Sequence, residues 1–419
     1  MLSYHTCPLA TLGGKDTGGM NVYVRELTRQ LGRQGVHVDV FTRSQDEHIP
    51  HVLHDLGYGN RVVHIPAGPE FPLPKPELVN YLPDFVEGIL EFSRSKGLQY
   101  DLIHSHYWMS GIAADELKSA WHVPVIHMFH TLGLMKQRVA RQPGEAEGDY
   151  RLRGEQQVLK LADRIVAATP AELAQLQWLY QADTKKVVVI PPGVDLGHFY
   201  PIAPDEAKEF VGIESNSRML LFVGRIEPLK GIDTLIQAIA DMRENGVFEK
   251  NHLSLAVIGG DPDVSPEATS VEMARLQAMR EQFGVQDLVA FLGRRSQDTL
   301  PYYYSAAEAV VVPSFYESFG MVALEAMACG TPVVASEVGG LAFLVQDEVT
   351  GFTVPSDEPD ALARRLTELI NNPALRKQMG AQAAKFAQEY AWSKITARMI
   401  SLYEDVLSKT TNAKLADVL

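Results

Sequence analysis

The chain has 419 residues, of which 46 % are hydrophobic, and a formal net charge of −14 at pH 7. This length suits two domains of about 200 residues each, and the acidic balance argues against a general nucleic-acid role, because phosphate binding needs a basic face. The two cysteines, Cys7 and Cys329, argue against a metal ribbon or a secreted disulfide scaffold. We expect a cytoplasmic protein without a membrane span or signal peptide, and the short first apolar segment leaves the completeness of the N-terminus open.

The first half of the chain alternates apolar strands with helical segments. Met20, Val24, Leu27 and Leu31 define one face of an amphipathic helix. Continuous apolar strands separated by helices predict an α/β fold with a parallel, doubly wound sheet. By residue number, the predicted strands are 36–41, 62–65, 102–105, 124–128, 164–168 and 187–190.

A second Rossmann-like series follows a proline–glycine stretch at 190–195, which predicts a stiff connector. We therefore expect an N-terminal domain over 1–192, joined by a C-terminal helix at about 393–419, and a C-terminal domain over 193–392. Trp392 lies where that helix is expected to cross back to the first domain. The predicted strands of the second series are 219–223, 255–258, 289–292, 309–312 and 332–335, and a charged helical tail covers 357–408.

Two loops have the composition of anion sites. In the loop 13–20, Gly18 and Gly19 allow a ligand to approach the backbone at a helix start, although the loop is neither a Walker A motif nor GxGxxG. In the loop 224–231, Arg225 and Lys230 follow a buried strand and can neutralise a diphosphate without a metal. Together they suggest a diphosphate ligand between the two domains. A plain tight turn and a solvated pair of cations are the structural alternatives.

A third segment, 313–325, carries two carboxylates eight residues apart. If Glu317 begins a helix, Glu325 lies about 12 Å further along its axis. That spacing is comparable to the reach of a nucleotide sugar from hexose to ribose. A capping glutamate and a structural ion pair are the alternative.

His130 follows the strand 124–128 and is placed to contact a donor sugar, although a lone histidine at a strand end is more often structural. The loops of the first domain also carry more cations than an acidic protein requires. A phosphorylated acceptor and ordinary solvated surface explain them equally well. The cations are Lys75, Arg138, Arg141, Arg151 and Arg153.

Together these motifs resemble the retaining glycosyltransferases of family 4, which have the GT-B fold of two Rossmann-like domains facing a central cleft. The resemblance covers nearly the whole chain and rests on DTGGMNVY, HSHYW, HTL, GRIEPLKG and the E-x7-E pair. Two groups within the family are similar: sucrose-phosphate synthases, and the inositol-phosphate N-acetylglucosaminyltransferases of mycothiol synthesis. IPPGVD and EPLKGID favour the first group and DTGGMNVY and HSHYW the second. We take UDP-glucose and fructose 6-phosphate as the favoured substrate pair, with UDP-N-acetylglucosamine and inositol 1-phosphate as the alternative.

The resemblance implies a role for each matching residue. Glu325 would bind the ribose, and His130 would lie near the reacting carbon. Donor binding is implied for Gly18, Gly19, Arg225, Lys230, Glu317, Ser318, Phe319, Gly320 and Glu325, acceptor binding for Lys75, Tyr107, Thr131 and Arg151 or Arg153, and catalysis for His130, Arg225, Lys230 and Glu317.

The expected reaction is a same-face substitution in which the leaving diphosphate oxygen takes the acceptor proton. Domain closure about the connector would exclude water. We expect no metal and no cofactor, with a nucleotide sugar and a sugar phosphate as substrates and UDP as a product. Nucleic acid is not expected as a partner, and the sequence leaves the oligomeric state open. A UDP-sugar 2-epimerase would need no acceptor cations, and a non-catalytic nucleotide-sugar sensor would more often have lost Lys230 or Glu317, which both remain.

Overall fold

In the computed structural model, the described residues are 1–11, 17–140, 148–248, 252–260 and 270–416. They form two compact units, one containing residues 1–11, 17–191 and the chain from 392 onward, the other containing the described part of 192–391. The first break falls in the proline–glycine stretch 190–195, where the sequence predicts a connector. Arg141 and the front of the loop 13–20 lie outside the described residues.

The first unit is an α/β structure built on one continuous set of paired strands. Its strands are β1 (Asp39–Arg43), β2 (Val52–Leu53), β3 (Arg61–Ile65), β4 (Ile103–His106), β5 (Val125–Met128), β6 (Arg164–Ala167) and β7 (Val187–Val189). Its helices are α1 (Gly19–Arg33), α2 (Lys75–Leu78), α3 (Leu82–Lys96), α4 (Trp108–Trp121), α5 (Gly133–Val139), α6 (Asp149–Leu161), α7 (Pro170–Tyr180) and the C-terminal helix (Trp392–Ala416).

Leu2 joins the two halves of this sheet. It forms parallel bridges to Phe41 of β1 on one side and to Ser105 of β4 on the other. The order is therefore β2-β3-β1, then the segment around Leu2, then β4-β5-β6-β7. All pairs are parallel except β2 with β3. The strand order reverses beside Leu2, and in an open parallel sheet such a point is where ligands bind.

The amphipathic helix α1 buries the face that the sequence predicts. Val24, Leu27 and Leu31 are fully buried, and Met20 is half-buried. On the same unit, the C-terminal helix packs against α1, with the rings of Trp392 and Tyr23 5.6 Å apart. The last helix therefore packs as part of the first unit.

The second unit has a single six-stranded sheet in which every pair is parallel. Its strands are β8 (Arg218–Val223), β9 (Leu253–Ile258), β10 (Val289–Gly293), β11 (Ala309–Val312), β12 (Val333–Ser336) and β13 (Gly351–Val354), in the order β10-β9-β8-β11-β12-β13. Its helices are α8 (Pro204–Val211), α9 (Ile232–Glu244), α10 (Val271–Gln282), α11 (Leu300–Ala306), α12 (Met321–Ala328), α13 (Leu341–Leu344), α14 (Pro359–Asn371) and α15 (Pro373–Ala387).

Two short edge strands, β2 and β13, were not predicted. Each lies at the end of its sheet and is short, β2 with two residues and β13 with four, so neither presents a long apolar run. The predicted strand 36–41 also begins later, at Asp39. The reason is that the Val36 N–H donates to the Leu31 carbonyl and so closes the end of α1.

No helix in the described ranges is long and apolar enough to cross a membrane.

A buried carboxyl near the start of α7 makes the stability of the first unit depend on pH. Glu172 is 2 % exposed and accepts a hydrogen bond from the Ala168 N–H at 2.7 Å. Burial raises its pKa from 4.5 to about 7. In this range the folded state binds more protons than the unfolded state, so this group's contribution to stability falls as pH rises from about 4.5 to about 7, by on the order of 3 kcal/mol.

We therefore expect Glu172→Gln to remove part of the pH dependence of thermal unfolding. The difference in melting temperature, variant minus wild type, should become more positive between pH 5 and pH 8. Glu116→Gln, at an exposed position, serves as the matched control and should leave the pH profile unchanged. Parallel profiles for wild type and Glu172→Gln would contradict the assignment.

Candidate active site

In the second unit, the two central strands place their following loops side by side. β8 pairs with β9 on one side and with β11 on the other, so the strand order reverses between β8 and β11. Ligands of open parallel sheets bind beyond the carboxyl ends of the strands at this point. The loop after β8 carries Arg225 and Lys230, and the loop after β11 carries Glu317.

Backbone contacts hold these two loops together. The Phe315 N–H donates to the Leu229 carbonyl at 2.9 Å. Gly231 has a φ of 66°, and a Cβ at this position would lie 2.0 Å from the carbonyl oxygen of Pro313. Only glycine fits both the left-handed backbone and the close approach. The loop 224–231 is therefore a shaped structure and not an open solvated turn.

An ion pair joins the same loops through their side chains. Lys230 Nζ lies 2.6 Å from Glu317 Oε2, and both side chains are 19 % exposed. Arg225 forms its own pair with Glu227, at 2.8 Å, and is about one-third exposed. The structure thus brings the predicted cation and carboxylate together and leaves both partly accessible to a ligand.

The loop after β12 also contacts the backbone at Glu317, although no sequence prediction included this loop. The Gly340 N–H donates to the Glu317 carbonyl at 2.9 Å. A Cβ on Gly339 would lie 2.1 Å from that carbonyl oxygen, and one on Gly340 would lie 2.4 Å from Phe319 Cα. A glycine pair shortly after a predicted strand, in the sequence EVGG, was the available signal.

The condition that Glu317 begins a helix is not met. The helix α12 begins at Met321, because Gly320 has a φ of 105° and acts as its N-cap. The distance of about 12 Å between the two carboxylates, which assumed a continuous helix, therefore does not apply. Ser318, Phe319 and Gly320 lead into the free N–H groups of the first turn of α12, where a helix attracts negative charge.

Glu325, on α12, has the partner that its apolar surroundings require. It is 5 % exposed, and the Tyr304 hydroxyl donates to its Oε2 at 2.8 Å. Burial and the neighbouring carboxylate raise the pKa of Tyr304 well above its usual value. Tyr304 was not predicted as a site residue, since no motif links α11 to α12 in the sequence.

In the first unit, Gly18 and Gly19 form the start of α1. Gly18 is the N-cap, and its N–H donates to the side-chain oxygen of Asn21 at 2.9 Å. The Asn21 amide in turn donates to Thr6 Oγ1 and to the Cys7 carbonyl, both at 2.7 Å. Asn21 therefore ties this helix start to the loop that follows the segment around Leu2, at the reversal point of the sheet.

The predicted acceptor residues converge on the ring of Tyr107. Lys75 Nζ lies 5.6 Å from the ring centroid, and the Arg151 guanidinium carbon lies 5.1 Å from it. Arg151 also donates to the carbonyl and to Oγ1 of Thr131, at 2.8 and 3.0 Å. Arg153 is exposed and Arg151 is buried, so the structure includes the first of these two arginines in the cluster and not the second.

A buried carboxylate balances Arg151. Glu155 Oε1 lies 2.8 Å from Arg151 Nε, and neither side chain has exposed area. Glu155 also accepts hydrogen bonds from the Gly133 N–H and the Tyr180 hydroxyl. Part of the charge of Arg151 is therefore used to hold the fold. Glu155 was missed, although its position four residues after Arg151 on a helix was a usable signal.

His130 belongs to a cluster of histidines at the ends of β4 and β5. Its backbone is left-handed, with a φ of 62°. Its Nε2 lies 3.0 Å from His106 Nδ1, and its ring meets the edge of Tyr23 at 5.2 Å. Burial lowers the pKa of His130 to about 3, so the imidazole is neutral at pH 7. This favours a hydrogen-bonding role over that of a cationic acid.

Arg138, another of the cations that the sequence places in the loops of the first domain, is exposed.

The two halves of the chain match two known domain families. Residues 17–198 match Glycosyltransferase Family 4, and residues 204–386 match Glycosyl transferases group 1.

Several curated proteins are similar over almost their whole length. The D-inositol 3-phosphate glycosyltransferase of Actinosynnema mirum is 41 % identical over 96 % of this chain and 96 % of its own. That of Kineococcus radiotolerans is 41 % identical over 100 % of this chain and 97 % of its own. Among solved structures, the sucrose-phosphate synthase of Thermosynechococcus elongatus superposes with a TM-score of 0.88 and 34 % identity, covering 97 % of this chain and 98 % of its own.

Identity of this extent over nearly complete chains carries the fold and the general chemistry together. Both units have the parallel, Rossmann-like sheets of that fold. The chain therefore belongs to the GT-B glycosyltransferases and is an enzyme that transfers a sugar.

Proposed function

We propose that this enzyme transfers a hexose from a nucleotide sugar to an inositol phosphate. The observation that carries the proposal is the 41 % identity to D-inositol 3-phosphate glycosyltransferases over 96 % or more of the chain. The cluster of Lys75, Arg151 and Thr131 around Tyr107 supports it, since two cations and a hydroxyl at a sheet edge suit a phosphate monoester. This choice replaces fructose 6-phosphate as the favoured acceptor.

Fructose 6-phosphate remains the second candidate. The similarity to the sucrose-phosphate synthase, at 34 % identity and a TM-score of 0.88, favours it. Both acceptors carry a phosphate monoester, so the cation cluster fits either one. They differ in the groups that surround the phosphate, and only a direct comparison of turnover separates them.

The donor residues of the proposal lie on the second unit. Arg225 and Lys230 bind the diphosphate, Glu317 and the backbone of 318–320 hold the hexose, and Glu325 binds the ribose. The partly exposed Lys230–Glu317 pair supports this assignment, because the ammonium can contact a phosphate oxygen without leaving the carboxylate. Of the two glycines at the start of α1, Gly19 would add its backbone N–H to the diphosphate, because the Gly18 N–H already donates to Asn21.

The proposed mechanism is substitution with retention on one face of the donor. The bond between the anomeric carbon and the diphosphate oxygen breaks, the acceptor hydroxyl bonds to that carbon, and the leaving oxygen takes the hydroxyl proton. Arg225 and Lys230 stabilise the negative charge that grows on the diphosphate. His130, neutral at pH 7, hydrogen-bonds the donor sugar beside the reacting carbon. A glycosyl adduct on Glu317 would contradict this mechanism and indicate double displacement.

The substrate assignment is tested by a panel of two donors against two acceptors. UDP-glucose and UDP-N-acetylglucosamine are each combined with D-inositol 3-phosphate and with fructose 6-phosphate, and UDP release is measured with and without acceptor. We expect acceptor-dependent release with D-inositol 3-phosphate, the compound in the names of the similar curated proteins. Faster release with fructose 6-phosphate would establish the second candidate, and C2 inversion without acceptor would indicate an epimerase.

We further propose that transfer needs no divalent metal. Two cations beside the diphosphate supply the charge stabilisation that Mg²⁺ provides in other phosphate chemistry. Exhaustive treatment with EDTA should therefore leave the initial rate within about twofold of the untreated enzyme, where a metal-dependent site would lose several kcal/mol of transition-state stabilisation. Recovery of a lost rate by added Mg²⁺ or Mn²⁺ would refute this proposal.

A further inference from the structure

Arg43, the last residue of β1, holds the loop 67–74 by its guanidinium group. It is 1 % exposed. It donates to the carbonyl oxygens of Ala67 at 2.8 Å and Phe71 at 3.1 Å, and also to that of Pro69. One planar group with its donors in a fixed fork therefore contacts three carbonyls of one loop.

The same segment is fixed at two further points. The Tyr81 ring lies 6.0 Å from the Arg43 guanidinium, and a Cβ on Gly68 would lie 2.4 Å from that ring. At the end of α2, the Leu78 carbonyl accepts a hydrogen bond from the Tyr4 hydroxyl at 2.7 Å. The segment 67–81 is thus held at its start by Arg43 and near its end by Tyr4.

Lys75 lies between these two anchors. It is the first residue of α2, directly after the loop 67–74, and its Nζ lies 5.6 Å from the centre of the Tyr107 ring. A helix of one turn has little stability of its own, so its position depends on its attachments. The path of the loop before it therefore determines where the Lys75 ammonium stands relative to Tyr107 and Arg151.

We propose that Arg43 is a positioning residue for the phosphorylated acceptor. It acts through Lys75, by fixing the loop that presents this ammonium to the acceptor phosphate. The inference rests on the proposed function, because it assigns Lys75 to that phosphate. Lysine cannot replace Arg43, since a single ammonium lacks the fork that reaches three carbonyls at once.

The test compares Arg43→Lys with Arg43→Met, Lys75→Ala and the double variant Arg43→Lys/Lys75→Ala. Arg61→Lys is the matched control, because Arg61 lies on the adjacent strand and pairs with Asp39 at 2.7 Å, away from the loop. The KM of each substrate and kcat are measured with the better acceptor of the panel. Hydrogen exchange of backbone amides is followed over residues 67–81 in all variants.

We expect Arg43→Lys to raise the KM of the acceptor by about tenfold or more, the effect of losing one charge-assisted contact, with the KM of the donor unchanged. The double variant should be no worse than Lys75→Ala, since both changes act through one ammonium. Exchange over 67–81 should be faster in Arg43→Lys and in Arg43→Met than in Arg61→Lys.

Three results would overturn the inference. They are an unchanged acceptor KM in a folded Arg43→Lys, effects of Arg43→Lys and Lys75→Ala that multiply, and exchange over 67–81 that does not change. A wild-type enzyme that uses neither acceptor would instead refute the proposed function. In that case unchanged exchange over 67–81 would overturn the inference as well, and faster exchange would show that Arg43 holds this segment.

Discussion

Replacing Lys230 with methionine is expected to lower kcat/KM for transfer by about 100- to 1000-fold, the loss typical of one group that stabilises developing negative charge. Methionine keeps the length and apolar character of the stem but removes the ammonium that lies 2.6 Å from Glu317. The loss should appear mainly in kcat, because the charge on the leaving diphosphate grows as the donor bond breaks.

The control for this variant is Arg243→Met. Arg243 lies on α9 of the same unit and pairs with Asp287 at the surface. This change should leave kcat/KM unaffected, because an exposed pair contributes little. The double variant Lys230→Met/Glu317→Gln removes the unpaired carboxylate and should regain stability but not activity. A folded Lys230→Met enzyme within tenfold of the wild-type kcat/KM would contradict the role of this cation.

Replacing Arg151 with methionine is expected to destabilise the first unit by about 3–5 kcal/mol. Neither Arg151 nor Glu155 has exposed side-chain area, so the change leaves a buried carboxylate without its cation. The melting temperature of this unit should fall by on the order of 10 °C. It is measured by thermal unfolding followed by circular dichroism.

Two variants make this prediction specific. Arg153→Met changes an exposed arginine on the same helix and should alter stability by no more than about 0.5 kcal/mol. Arg151→Met/Glu155→Gln removes the uncompensated charge and should be more stable than Arg151→Met alone. If Arg151→Met and Arg153→Met unfold at the same temperature, the buried pair has no structural role.

The buried histidines of the first unit also make its stability depend on pH. Burial lowers the pKa values of His104, His106 and His127 well below 6.5. Their folded pKa values lie under the unfolded value, so the stability that neutral rings contribute is present at neutral pH and is lost as pH falls below about 6.5. As pH falls, these histidines therefore lower the stability of the first unit, whereas the carboxyl group of Glu172 raises it.

Secondary structure was largely predictable because parallel strands are buried on both faces. Such strands require continuous apolar runs, and these runs stand out between polar helical segments. The edge strands β2 and β13 were not predicted because they have only two and four residues, too few for an apolar pattern to stand out. The sequence pattern left open whether a helix begins at Glu317. In the structure α12 begins four residues later, at Met321, after the left-handed Gly320 with a φ of 105°.

The sequence by itself indicated Arg225, Lys230 and Glu317 as candidate site residues, since polar residues that follow buried strands stand out against apolar runs. Only the tertiary structure decided that Lys230 and Glu317, 87 residues apart, form one ion pair, because the strand order places β8 beside β11. The tertiary structure also decided that Arg151 is buried and Arg153 is exposed. Two residues apart on a helix of 3.6 residues per turn, they project from nearly opposite sides, and packing determines which side is inside.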